Sequence, residues 1–219
     1  MLFRSVINGG EVMAKQIEGV YDKLIECAKA EFLEKGFKDA SLRTIAKNAG
    51  TSTNSIYVRF GDKAGLFDAI VKPHYETVMN RYIKTQTEFQ GLPADIQRTR
   101  VGQASGDCLH DILDYCYEHI DEMRIILTRS DGTSYSSMVD EMAAMEVEAT
   151  HAYQQTAEEA GYCMKHIDPR LEHIIATGMI NTFFELIIHD VPYNEAETYL
   201  MEMRDFYTAG WLKIMGQTD

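Results

Sequence analysis

The stretch SLRTIAKNAGTSTNSIYVRFGDKAGLF, residues 41–67, decides the fold. Ser41 has the side chain of a helix N-cap, and Leu42, Ile45, Ala46 and Ala49 then fall on one face. Gly50 supplies the left-handed residue that ends this helix. Ser52 caps a second short helix, whose Ile56 and Phe60, spaced i and i+4, point back to the same core. Neither helix is long enough to stand alone, so both must pack on something larger. Ile17, Val20, Tyr21, Leu24, Ala28 and Phe32 mark one face of a first helix, with Gly36 as its stop. Two short helices hinged on a glycine and braced by a third are what a helix-turn-helix requires.

The second short helix turns Thr53, Asn54 and Tyr57 outward, with Ser55 and Arg59 on the flanks. None of these residues suits a core. Thr, Asn and Ser donate and accept at base edges or phosphates, while Tyr offers a ring for a thymine methyl and a hydroxyl for phosphate. Arg43 on the first short helix and Lys63, one residue past the Asp62 cap of the next helix, are placed to grip the backbone at either side.

The run resembles the DNA-binding signature of TetR-family transcriptional regulators. Ile45, Ala46, Ala49, Gly50, Ser52, Ile56, Tyr57, Phe60 and Lys63 carry that resemblance, with FLEKGFKDAS (residues 32–41) before them. It covers residues 15 to about 70 and implies DNA contacts from Arg43, Thr44, Thr53, Asn54, Ser55, Tyr57, Arg59 and Lys63. Three positions depart from the family pattern. Arg59 stands where many members have His or Tyr, Thr51 replaces a commoner Val, and Gly65 is expected to loosen the first turn of the long helix.

Charge is divided along the chain. Residues 1–72 hold 11 Lys/Arg against 9 Asp/Glu and residues 73–219 hold 10 against 25, for a net charge of −13. A polyanion is tolerated only at the first end. No stretch approaches a membrane span and the N-terminus lacks a secretory h-region, so the expected compartment is the cytoplasm. Cys27, Cys108, Cys116 and Cys163 show no disulfide-rich spacing and read as reduced thiols, with redox sensing as the alternative. GGEV before Met13 is what translation of a purine-rich ribosome-binding site would give, so Met13 is the expected start and residues 1–13 a disordered leader.

The fold expected is all-α: a helix-turn-helix domain over 14–61 and a larger ligand-binding and dimerisation domain over 62–219. A long helix runs from Asp62 to about Gln90, kinked at Pro73. The polar interval QGLPADIQRTRVGQASGD (90–107) reads as a loop or irregular start. Further helices follow through Leu109–Ile120, near 121–129, and from Tyr135 toward Gly161. Asp168-Pro169 opens the next helix, and Asn194 with Glu197 has the capping-box form for the last.

The resemblance implies that the last two helices pair with a second subunit in a four-helix bundle. Their wide apolar faces agree, and Ile175, Met179, Phe183, Phe184, Ile187, Tyr207, Trp211 and Leu212 are the interface candidates. Met and Tyr crowd the central helices. Tyr82, Leu109, Leu113, Cys116, Tyr117, Met138, Met142, Met145 and Tyr153 are candidates for a small-molecule pocket or for ordinary core. CLHDILDYCYEH (108–119) holds Cys, His and Asp at spacings unlike structural zinc, and no HExxH, P-loop or dinucleotide fingerprint occurs; no metal, cofactor or enzyme is expected. The function expected is a homodimeric regulator that binds a double-stranded operator, a repressor released by a small molecule. The alternative is a helical small-molecule or metal sensor without operator binding.

Overall fold

The computed structural model describes the backbone of residues 8–217 and the side chains of residues 19–217. Among these, nine α-helices occur and no strand: α1 (Asn8–Asp39), α2 (Leu42–Ala49), α3 (Thr53–Phe60), α4 (Lys63–Gln90), α5 (Ala94–Glu118), α6 (Ile120–Arg129), α7 (Met138–Glu159), α8 (Pro169–Ile188) and α9 (Tyr193–Ile214). A 3-10 turn at Ser134–Ser137 leads into α7. The backbone of α1 begins at Asn8, earlier than the helix start read from sequence; the rest of the proposed leader lies outside the described residues.

The signals at the ends of α2 and α3 act as their chemistry dictates. Ser41 Oγ accepts from the Thr44 amide and Ser52 Oγ from the Ser55 amide. Gly50 turns left-handed at φ 70°, so that its own amide reaches the Lys47 carbonyl and that of Thr51 the Ala46 carbonyl. Gly36 breaks α1 at φ 74°, as the sequence requires. The Glu31 carboxylate accepts from the Ser41 amide at 2.9 Å, which ties α1 to the start of α2.

Gly65 reverses its expected role. Its amide donates to the Asp62 carboxylate at 2.8 Å, and any Cβ there would collide with the Phe60 carbonyl. The glycine therefore seats α4 tightly against the end of α3. Gly65→Ala is expected to cost about 1–3 kcal/mol, because backbone must shift to admit the methyl. Urea unfolding measures it, and an unchanged midpoint would refute the close approach.

Helix α4 continues through Pro73 as one element and joins the two halves of the molecule. Its Leu66, Phe67 and Ile70 are buried toward the helix-turn-helix, and Val78, Met79 and Tyr82 are buried further along. Phe67 stands edge-on to Phe32 at 4.9 Å and to Phe37 at 5.0 Å, an aromatic joint between α1 and α4.

Two boundaries differ from the sequence reading. The interval expected to be irregular is helical from Ala94 onward. Its glycines are contact points rather than breakers. A Cβ on Gly102 would meet Thr208 of α9 at 2.5 Å, and one on Gly106 would overlap the Arg204 side chain one turn earlier on α9. Helix α9 begins at Tyr193 behind Pro192 with no side-chain cap, so Asn194 is not a capping-box residue. Helix α8 has the length and apolar composition to cross a membrane, yet Phe183, Phe184 and Ile187 are buried in the main core.

Candidate nucleic-acid interface and ligand cavity

Helix α3 turns Ile56 wholly into the core and rests Phe60 near Tyr21 of α1, with ring centroids 5.9 Å apart. The residues left outward are Asn54, Tyr57, Val58 and Arg59, with Thr53 and Ser55 half-buried beside them. Tyr57 is 53% exposed, too open for a packing role. Val58 is 77% exposed and lies one turn after Asn54. Sequence reasoning passed over it, although α3 needs only Ile56 and Phe60 for the core, which leaves an apolar side chain facing out. On α2, Arg43, Thr44 and Lys47 are exposed. Among the described residues no carboxylate pairs with Arg43, Lys47 or Arg59, whereas Lys38 and Lys72 both have acidic partners. Lys47 was likewise absent from the sequence-based set.

Lys63 is placed differently from the free phosphate clamp expected of it. Its ammonium donates to the Lys38 carbonyl at 2.8 Å and the Ala40 carbonyl at 3.3 Å, and lies 5.0 Å from the Phe37 ring centroid. These carbonyls at the end of α1 would otherwise lack helical partners, so the cation closes α1 onto α4.

A cavity of about 1010 Å³, including its open mouth, lies between α4, α5, α7, α8 and α9. Of the pocket candidates, Tyr82, Leu109 and Tyr153 line it. Leu113, Cys116, Met138, Met142 and Met145 do not; they pack in or against the main core. Tyr117 donates instead to the Val191 carbonyl at 2.5 Å. The apolar pattern could not tell a cavity wall from a filled interior, and the polar wall went unnoticed. Glu146 Oε2 accepts from Tyr82 at 2.5 Å and from Gln86 at 2.9 Å. Burial pushes the Glu146 carboxyl above the ordinary carboxylate range, and these two hydrogen bonds only partly oppose that. The buried indole N–H of Trp211 has no partner in the cavity wall.

Several interface candidates also move. Met179, Phe183, Phe184 and Ile187 are buried within the subunit and cannot face another. Met179, Tyr207 and Trp211 line the cavity. Ile175 and Leu212 are half-buried. The large apolar side chains that do stand outward on α8 and α9 are Leu171, Ile174, Tyr193, Tyr199, Met201 and Phe206.

The four cysteines are free thiols. Burial pushes the Cys116 thiol up to about 12, so the free thiol stays protonated at neutral pH. His119, its neighbour one turn on, instead meets His74 of α4 and Glu122 of α6.

Comparison with known proteins agrees with this geometry. The model for bacterial regulatory proteins, tetR family, matches residues 24–70, which span the end of α1 through the start of α4. Over 60 residues the chain is 38% identical to the uncharacterised regulator YvdT of Bacillus subtilis, 27% of this chain and 31% of YvdT. It is 28% identical to the probable regulator YttP of the same bacterium over 70% of each chain. It is 33% identical to the repressor BdcR of Escherichia coli over 42% of this chain and 40% of BdcR. The matched segments thus span less than half of YvdT and BdcR. In fold, NalD of Pseudomonas aeruginosa superposes with a TM-score of 0.56 at 17% identity, covering 88% of this chain and 96% of NalD. With the capped α2, the glycine turn and the outward Tyr57 of α3 in place, residues 24–70 form the segment that this chain shares with bacterial regulatory proteins of the tetR family.

Proposed function

We propose that the protein is a homodimeric repressor that holds an operator through α2 and α3 and lets go when a small amphipathic molecule fills the cavity. One observation carries this reading: in a chain of net charge −13, α2 and α3 present outward Asn54, Tyr57 and Val58 flanked by the unpaired cations Arg43, Lys47 and Arg59. Such a surface repels little of the duplex and offers donors, a ring and a methyl-bearing side chain to base edges.

The second subunit is assigned to the outer faces of α8 and α9, where Ile174 and Phe206 are the most exposed large apolar side chains. A two-fold pair would set the two reading helices about 34 Å apart, one turn of DNA. Tyr82, Thr85, Gln86 and Phe89 of α4 line the cavity while Lys63 at its other end closes on α1. A ligand that favours one setting of α4 therefore biases the spacing of the reading helices, through its differential affinity for the two settings. Phe89, Leu109 and Leu200 suit its apolar body, and Glu146 and the Trp211 N–H suit a polar end.

A gel shift with duplex from the protein's own promoter, run across a salt series, tests the proposal. Sequence-specific binding that falls steeply with salt is the expected result, and equal binding to unrelated duplex would overturn it. Lys47→Ala is expected to weaken binding evenly across sequences and to reduce the salt slope by about 1. An unaltered slope would place Lys47 away from the phosphates.

A further inference from the structure

We propose that His74, His119 and Glu122 form a binding site for one divalent first-row transition-metal ion, and that its occupancy loosens the hold of α6 on α1. The three side chains come from α4, from the corner between α5 and α6, and from the first turn of α6, and their ligand atoms lie within 4.8 Å of one another. Ligands on one tetrahedral ion of this kind stand about 3.4 Å apart, so closure of about 1.4 Å at the widest separation completes the triad. Two imidazoles and a carboxylate suit Zn²⁺, Co²⁺ or Ni²⁺, with water filling the remaining positions.

The surroundings are arranged as such a site requires. His74 Nδ1 and the Tyr115 hydroxyl are 2.9 Å apart; with Nδ1–H donating to the hydroxyl oxygen, Nε2 keeps its lone pair for a metal. The His119 ring packs against those of both His74, at 4.6 Å, and Tyr115, at 4.5 Å, which are themselves 5.9 Å apart.

Lys29 gives the site its consequence. Its ammonium bonds Glu122 Oε1 at 3.1 Å and Glu26 at 2.9 Å, the first an ion pair from α1 across to α6. A dication on Glu122 competes with that ammonium, which falls back on Glu26 of its own helix. The link between the helix-turn-helix domain and α6 is thereby weakened at a point outside the cavity lining. The Arg81 guanidinium lies 4.7 Å from the centroid of the Tyr115 ring, whose hydroxyl is the partner of His74.

The test is titration of the metal-free full-length protein with Co²⁺, followed by visible absorption. One equivalent per chain is expected, with ligand-field bands and no thiolate charge-transfer band. His119→Ala and His74→Ala should abolish that equivalent, while Tyr115→Phe, which only misorients His74, should weaken it about tenfold. Lys29→Met should tighten it severalfold by removing the competing charge. Tyr115→Phe and Lys29→Met keep the question decidable if a histidine variant fails to fold. Absence of saturable binding, or binding indifferent to these four changes, or a thiolate band, would each refute the site. The coupling to DNA rests on the proposed operator binding and is read separately. If the site fills while operator affinity stays constant, the coupling is wrong and the site stands; if no operator is bound at all, the functional reading fails and the titration is untouched.

Discussion

Tyr57→Ala is expected to reduce operator affinity by about thirtyfold or more while leaving the fold and the proposed dimer as they were. The reasoning starts from burial. Tyr57 is half open to solvent on α3, whereas Ile56 beside it is wholly enclosed. Cutting Tyr57 back to Ala therefore removes little packing, and unfolding should move by no more than about 0.5 kcal/mol. What is lost is a ring and a hydroxyl at the centre of the outward face, between Asn54 and Val58 on one side and Thr53 on the other. A contact of this kind at a base edge is worth about 1–3 kcal/mol, and a two-fold dimer loses it twice. The sum, about 2–6 kcal/mol, is a loss of roughly 30-fold to ten-thousandfold. Fluorescence anisotropy on a labelled operator measures it, with sedimentation to confirm the dimer. Affinity within threefold of the parent would mean that α3 does not read the DNA.

The helix-turn-helix could be read from sequence because local chemistry fixes it. Ser41, Ser52 and Asp62 each bond the backbone three residues ahead, and Gly50 and Gly36 adopt conformations other residues resist. Those signals need no knowledge of what lies across the core. Lys63 marks where local reading ends. Its position at the start of α4 is legible, but the two carbonyls it meets belong to a segment 23 and 25 residues earlier, and only the folded chain brings them there.

Glycine misled the reading in the second domain for the same reason. Gly65, Gly102 and Gly106 look like weak points in a linear pattern. In the fold each is where another backbone or side chain comes too near for a Cβ, and the partners of the latter two, Thr208 and Arg204, are more than 90 residues away. The cavity shows a further limit. Apolar periodicity collected Leu113, Met138 and Met142 along with Leu109, because all four face inward. The polar groups Glu146 and Gln86, half-buried beside the enclosed Tyr82, distinguish the wall of a cavity from a filled core.

Helix α8 posed the sharpest ambiguity, and a second substitution resolves it. It is apolar almost all round, so periodicity cannot say which stripe meets the core and which a partner. The structure assigns Phe183, Phe184 and Ile187 to the core and leaves Ile174 outward, 65% exposed, with Phe206 of α9 73% exposed. The Phe206 ring is steadied edge-on by Tyr207, 5.2 Å away, whose hydroxyl lies 3.2 Å from Thr182 Oγ1 of α8. An open Phe so held is costly to a solitary subunit's solubility and useful to a dimer. Phe206→Glu is accordingly expected to split the proposed dimer. Each subunit forgoes about 2 kcal/mol of Phe burial and gains a carboxylate with no partner, so the pair weakens by roughly 5 kcal/mol or more, between three and four decades in Kd. The isolated subunit should keep its helical content, because the side chain already stands in water. Operator binding should fall with it, since one subunit reaches only one half-site. Analytical ultracentrifugation at micromolar concentration decides the matter: a Phe206→Glu chain that still sediments as a dimer would move the interface to another surface.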